Sequence, residues 1–237
     1  MSAGKGAFEM KYRDIPIQER MRVSFCLAFV GGFLETYTYR LQDGVFANAQ
    51  TGNLVLLALS LMENNGKWVY YFCSICAFIA GVCLSESLCA KLSGSSRLNW
   101  LSTLLIFEIF LLGAIPLFPQ STPIALLNII VSFVCSLQYH GFPRTHGMAL
   151  STTMCTANLR NASQNMFQAI REKDLQKAKT SSKYFLVILY FIFGATISYL
   201  TIDVFGEYAI WTCCGMLLIV YILLQTEKMR IKKNPRV

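Results

Sequence analysis

Long apolar runs dominate the chain, and six of them are long enough to cross a bilayer as helices. They cover residues 23–39, 68–90, 98–118, 123–139, 184–202 and 208–225. A spanning helix needs about 17–25 mostly apolar residues. Two further segments, 44–62 and 147–170, are partly apolar but carry polar clusters that would be costly in lipid.

The placement of charge decides how the two interrupted segments are treated. Lys and Arg concentrate in cytoplasmic loops. If only the six clean runs cross, 19 of the 21 basic residues fall on one side. They lie before residue 23, around Lys91 and Arg97, between 140 and 183, and after residue 227; Arg40 and Lys67 are the exceptions. If the interrupted segments also crossed, Lys91 and Arg97 would move outside and the uncharged loop 119–122 would move inside. Six spans with both termini in the cytoplasm fit better. The predicted fold is therefore all-α, a polytopic membrane bundle of about six transmembrane helices. Residues 1–22 form a cytoplasmic segment, 23–226 one membrane domain, and 227–237 a basic cytoplasmic tail.

Composition agrees with that solvent. The chain is 54% hydrophobic and 14% charged, whereas a soluble domain carries about a quarter charged residues. The net charge of +8 does not indicate nucleic acid, because the basic residues sit between apolar runs and form no patch interleaved with aromatics. Nine cysteines, an odd number lying mostly in apolar stretches, do not form a disulfide framework. Cys73 and Cys76 have C-x-x-C spacing but lie within a predicted span. No signal peptide is read at the amino terminus.

The two halves echo each other. Thr51-Gly52-Asn53-Leu54 has a counterpart in Thr156-Ala157-Asn158-Leu159, and the pattern F-I-x-G-x-x-[LI]-S occurs at Phe78–Ser85 and again at Phe191–Ser198. Repeat 1 covers about 23–118 and repeat 2 about 123–226. With three spans each, the halves must face opposite ways. Inverted repeats with interrupted helices are a recurrent plan for secondary transporters. The two interrupted segments are then expected to re-enter the membrane from opposite sides and meet; the alternative is a pair of surface loops with interfacial helices.

Gly31-Gly32-x-x-Glu35, Gly44-Val45-Phe46-Ala47-Asn48, Thr51-Gly52-Asn53-Leu54, Ser136-Leu137-Gln138-Tyr139 and Thr152-Thr153-Met154-Cys155-Thr156 resemble motifs of the YoaK family of bacterial membrane proteins, a domain of unknown function. The chain departs from the usual family form at Tyr139, at Ala157, and at Glu35, where an aspartate is usual. The resemblance implies a multipass protein of the inner (cell) membrane and supplies no substrate.

Ionisable groups inside a span are costly and are functional candidates for that reason. Glu35 and Glu108 are the candidate proton-coupling residues. The alternatives are that Glu35 reaches the outer surface near Arg40 and that Glu108 makes a structural hydrogen bond. Glu86 has Lys91 as a local partner. Thr51, Gly52 and Asn53, with Thr156, Asn158 and Gln138, are the candidate substrate-binding set. Thr or Asn at these positions can cap the following helix, whose positive end would attract anions; plain capping at a loop is the other reading. Gly81, Ser85, Gly194 and Ser198 have the small-x-x-x-small spacing of helix packing. His140 and His146 are six apart, unlike a helical zinc pair. No metal site, cofactor or catalytic set is expected. The leading expectation is a secondary transporter of a small polar or anionic solute, with lipid as the other partner and self-association open. A passive channel and a non-transporting receptor or assembly protein are the alternatives.

Overall fold

The computed structural model describes residues 15–91 and 97–233. Lys5, Lys11, Arg13 and Arg236, counted above among the basic residues, lie outside them. Eight α-helices follow in order: α1 Met21–Leu41, α2 Gln50–Glu63, α3 Trp68–Lys91, α4 Arg97–Ala114, α5 Ile124–Gly141, α6 Cys155–Glu172, α7 Leu175–Phe205 and α8 Ile210–Lys233. The all-α expectation holds. The β structure among the described residues is a small hairpin, β1 Arg144–Thr145 against β2 Met148–Ala149. It turns at His146 and Gly147, both with positive φ, as a tight two-residue hairpin requires.

Among the described residues four stretches are long and apolar enough to cross a membrane: Trp68–Lys91, Asn99–Leu117, Ile124–Gly141 and Leu175–Arg230. The last contains both α7 and α8, which break apart at Gly206 (φ 56°). Helix α1 is not among them, because Arg22, Glu35, Thr36, Thr38 and Arg40 lower its hydropathy. It lies instead at the centre of the bundle, where Val23, Leu27, Val30, Phe33 and Leu34 are almost fully buried. The exterior of the bundle is apolar, with Leu189, Ile192, Phe193 and Val204 of α7 exposed. The interior holds Ser24, Asn48, Ser74, Glu108, Asn128 and Gln138. Polar residues inside and apolar residues outside is the arrangement of a chain whose solvent is lipid.

Helix α1 packs on α7 and α8, α3 on α5, α4 on α8 and α5, α2 on α3, and α6 on α7. Glycines set the closest approaches. A Cβ at Gly32 would collide with the Phe191 carbonyl, one at Gly194 with the Phe29 carbonyl, and one at Gly81 with the Ser136 hydroxyl. The packing reading of Gly81 and Gly194 is thus the one their surroundings support.

Side-chain contacts fix the two ends of the bundle. At one end Arg20 pairs with Glu227 at 3.0 Å, Ser24 bonds Thr145, and Lys183 approaches His146 at 3.5 Å. The start of α1, the ends of α5 and α8 and the start of α7 therefore lie together. At the other end Tyr37 donates to the Glu207 carbonyl at 2.9 Å, Arg40 pairs with Asp203 at 2.9 Å, and the Trp211 indole donates to the Gly113 carbonyl at 3.1 Å.

Candidate functional site

Between α1 and α3 the chain leaves the Arg40 end, turns at Asp43 and Gly44 (φ 56° and 74°), and travels back into the bundle before α2 begins. Glu35 organises this segment. Its Oε2 accepts from the Ala47 amide at 3.1 Å, and its Oε1 accepts from the Asn48 and Ala49 amides at 3.1 and 2.8 Å. The carboxylate thus holds the last three amides of the loop that leads into α2, which starts at Gln50 without a capping side chain at Ala49. It turns inward, away from Arg40, which is engaged by Asp203 and stacks on Tyr199.

Asn53 closes the same turn from the other side. Its Oδ1 accepts from the Phe46 amide at 3.0 Å, and its Nδ2 donates to the Phe46 carbonyl at 2.8 Å, to Gln50 at 3.0 Å and to Ser74 at 3.2 Å. The second interrupted segment repeats the device. Asn158 Oδ1 accepts from the Ser151 amide at 3.2 Å, and Asn158 Nδ2 donates to the Ser151 carbonyl. In both cases the asparagine clasps the residue seven positions before it. Ser151 also holds the turn before α6: its hydroxyl accepts from the Thr153 and Met154 amides at 3.4 and 3.0 Å.

The two segments meet on α1 at Gly31, the midpoint of that helix. The Asn48 side chain donates through Nδ2 to the Gly31 carbonyl at 3.5 Å. From the other segment, the Thr152 carbonyl lies 2.7 Å from where a Gly31 Cβ would sit, with the Thr153 Cα at 3.2 Å. Only glycine permits that approach. Asn48 is fully buried, and its Oδ1 has no hydrogen-bond partner among the described residues. Cys135 of α5 sits beside Asn48, within electrostatic range of Glu35 and Glu108.

A cavity of about 570 Å³ leads to this region from the Arg20 end. Trp100, Tyr139, His140, Phe142 and Leu150 form its walls, and Ser151, Thr152 and Asn161 line it on the side of the second segment. His140 Nε2 lies 3.0 Å from Glu86 Oε2, so Glu86 has His140 rather than Lys91 as its partner.

The expected site residues divide into three groups. Asn53 and Asn158 are engaged by backbone, and Gln138 donates to the Leu27 carbonyl at 3.2 Å. Thr51 and Thr156 are exposed on the outer sides of α2 and α6, and a Gly52 Cβ would press on the Phe46 ring. Glu108 is fully buried in α4, and neither carboxyl oxygen has a hydrogen-bond partner among the described residues. Asn48, Gly31 and Cys135, which the structure brings to the meeting point, were not singled out as ligands by sequence reasoning. Asn48 ends the Gly-Val-Phe-Ala-Asn block, and a buried asparagine in a motif was the available signal. Among the described residues no cluster of His, Cys, Asp and Glu is arranged to hold a metal ion. Outside the crossing helices, burial lowers the pKa of His146, helped by the nearby Lys183 charge.

Comparisons with curated proteins and with solved structures found no match. A family model described as a protein of unknown function, DUF1275, matches residues 23–223. That span covers all eight helices except the ends of the first and last, and the chain belongs to the DUF1275 family.

Proposed function

We propose that this protein is a secondary transporter of a small polar solute, built from two inverted halves of three crossing helices each, of the YoaK type. The observation that carries the reading is that both interrupted segments reach the midpoint of α1 and leave again at the end from which they entered. Segment 42–67 starts and finishes at the Arg40 end, and segment 142–174 at the Arg20 end. Backbone that breaks helix at mid-bundle is tolerated where it is buried in protein or lines a wet cavity.

The helix pairings support the duplication. Exchanging α1 with α5, α2 with α6, α3 with α7 and α4 with α8 converts each packed pair into another packed pair. The pair α1–α7 becomes α5–α3, α2–α3 becomes α6–α7, α1–α8 becomes α5–α4, and α4–α8 returns itself. The matched asparagine clasps follow the same exchange. Helices α1 and α5 run antiparallel, since Ser24 near the start of α1 meets Thr145 beyond the end of α5. Six crossings then comprise α1, α3, α4, α5, α7 and α8. Helix α1, about 32 Å long, can cross despite its polar residues because its surroundings are protein rather than lipid. The basic Arg20 end is cytoplasmic under the positive-inside rule.

In this reading Glu35 first holds the loop before α2, and the solute passes the Gly31 meeting point, reached from the cytoplasm through the cavity. The test is flux in proteoliposomes loaded with a mixture of small polar solutes, followed by mass spectrometry under an imposed proton gradient. Saturable uphill accumulation is expected. It should be abolished when the α1–α7 contact is locked by a short bifunctional maleimide cross-link between Arg40→Cys and Asp203→Cys, the positions whose native side chains meet at 2.9 Å. Flux that only runs downhill would indicate a channel, and no flux a receptor or assembly role.

A further inference from the structure

We propose that the cavity at the Arg20 end is a binding site for an uncharged, planar aromatic molecule with a hydrogen-bonding edge. This goes beyond the transport reading, because binding there requires no flux.

Size and lining both point to this class. A volume of about 570 Å³ lies within the usual range for small-molecule sites, roughly 300–1,000 Å³. The lining is rich in aromatic groups: Trp100 from α4, Tyr139 and His140 from α5, and Phe142 just beyond it. Flat side chains from two elements around one space favour a flat guest, through stacked or edge-on ring contacts. Polar groups come from a different segment, where Ser151 and Thr152 precede α6 and Asn161 lies nearly two turns into it. A guest with an apolar ring and one polar edge matches both.

Charge narrows the class further. No Asp, Glu, Lys or Arg appears among the described residues lining the cavity. Among the described lining residues the one ionisable base, His140, already faces Glu86 at 3.0 Å. Against these described residues a carboxylate or ammonium guest would give up its hydration for no opposite charge, and burying an unpaired ion is expensive. A purely aliphatic guest would leave the Ser151–Asn161 segment unmatched.

The protein carries its own reporter. Of its three tryptophans, Trp100 lines the cavity, while Trp68 begins α3 and Trp211 lies at the Arg40 end. A Trp68→Phe/Trp211→Phe variant in phosphatidylcholine nanodiscs leaves Trp100 as the only indole. It would be titrated with 4-hydroxybenzamide, and in parallel with benzoate, benzylamine and 1-octanol. Saturable quenching by 4-hydroxybenzamide is expected, with the two ions binding at least about tenfold more weakly, the factor that 1.4 kcal/mol represents. Ala157→Phe, which fills the cavity, should abolish quenching, and Asn161→Ala should weaken binding up to about tenfold, the worth of one hydrogen bond. As a second readout in the unaltered protein, 4-hydroxybenzamide should slow alkylation of Cys89, an exposed thiol in the cavity lining. Quenching by 1-octanol equal to that by 4-hydroxybenzamide would make the cavity a lipid crevice and overturn the proposal. Tighter binding of benzoate, or no saturable effect on either readout, would overturn it as well. None of these outcomes depends on whether solute crosses the bilayer.

Discussion

Replacing Glu35 with glutamine separates a carboxylate that holds the loop before α2 from a group needed only for its proton. In the native chain three backbone amides converge on the two oxygens, at 3.1, 3.1 and 2.8 Å. A glutamine keeps one acceptor and puts an NH₂ group where the other stood. With its oxygen in the Oε1 position, the Asn48 and Ala49 amides keep a neutral acceptor, and the Ala47 amide faces another donor. A hydrogen bond to a charged group is worth about 1.5–3 kcal/mol, and a buried unpaired N–H costs about 1–3 kcal/mol more. The sum is about 2.5–6 kcal/mol. For a chain of this size that corresponds to a melting-temperature drop of at least about 5 °C. The assay is thermal unfolding of purified protein in one detergent, with Glu35→Ala alongside. Glu35→Ala should fall further, because all three amides lose their partner. If Glu35→Gln melts within about 1 °C of the parent, a shift expected from less than 1 kcal/mol, Glu35 is not holding the segment and that role is wrong.

Further expectations follow from the same contacts. Asn53→Ala should destabilise more than Asn158→Ala, because Asn53 also bonds Gln50 and Ser74; about 2–4 kcal/mol is expected for Asn53→Ala, and equal melting curves would count against the difference. Gly32→Ala should prevent the α1–α7 approach and abolish folded protein on size exclusion, whereas Gly215→Ala, whose Cβ meets nothing within 4 Å, should fold normally. His146 should contribute to acid sensitivity. Its pKa is lowered in the folded chain by burial and by Lys183, so the folded state resists protonation. Its contribution is present above the ordinary histidine pKa of about 6.5 and is lost as pH falls through the lower folded value. His146→Gln should flatten that part of the stability–pH curve, and an unchanged curve would refute the assignment.

Much of the scaffold was legible in the chain because apolar run length reports helices directly. The runs at 68–90 and 123–139 became Trp68–Lys91 and Ile124–Gly141. The run at 184–202 underestimated α7, which begins at Leu175. Its first turns are polar, and the Asp174 carboxylate caps them by accepting from the Gln176 and Lys177 amides; no hydropathy window sees such a turn. The interrupted segments were legible as interruptions, and the starts of α2 at Gln50 and α6 at Cys155 fall at the Thr-x-Asn blocks. The roles within those blocks were not. Asn53 and Asn158 hold backbone seven residues earlier, and Glu35 holds amides 12–14 residues later. Such contacts depend on how the chain folds back, which periodicity does not encode. The meeting at Gly31 joins residues 17 and about 120 positions away, so no local pattern marks this glycine as a point of close approach. The cavity walls, drawn from α3, α4, α5 and α6, had no local pattern at all.

The most direct test of two inverted, re-entrant halves is side-specific thiol access at the first residues of α2 and α6. One variant retains only Cys155, and its counterpart carries Gln50→Cys in a cysteine-free background. Each is labelled with a membrane-impermeant maleimide from one side at a time. Inverted halves around a mid-bundle solute path predict that at least one of the two positions reacts from both sides. Reaction of Gln50→Cys only from outside and of Cys155 only from inside, each at the rate of a fully exposed thiol, would contradict it and make both segments ordinary surface loops.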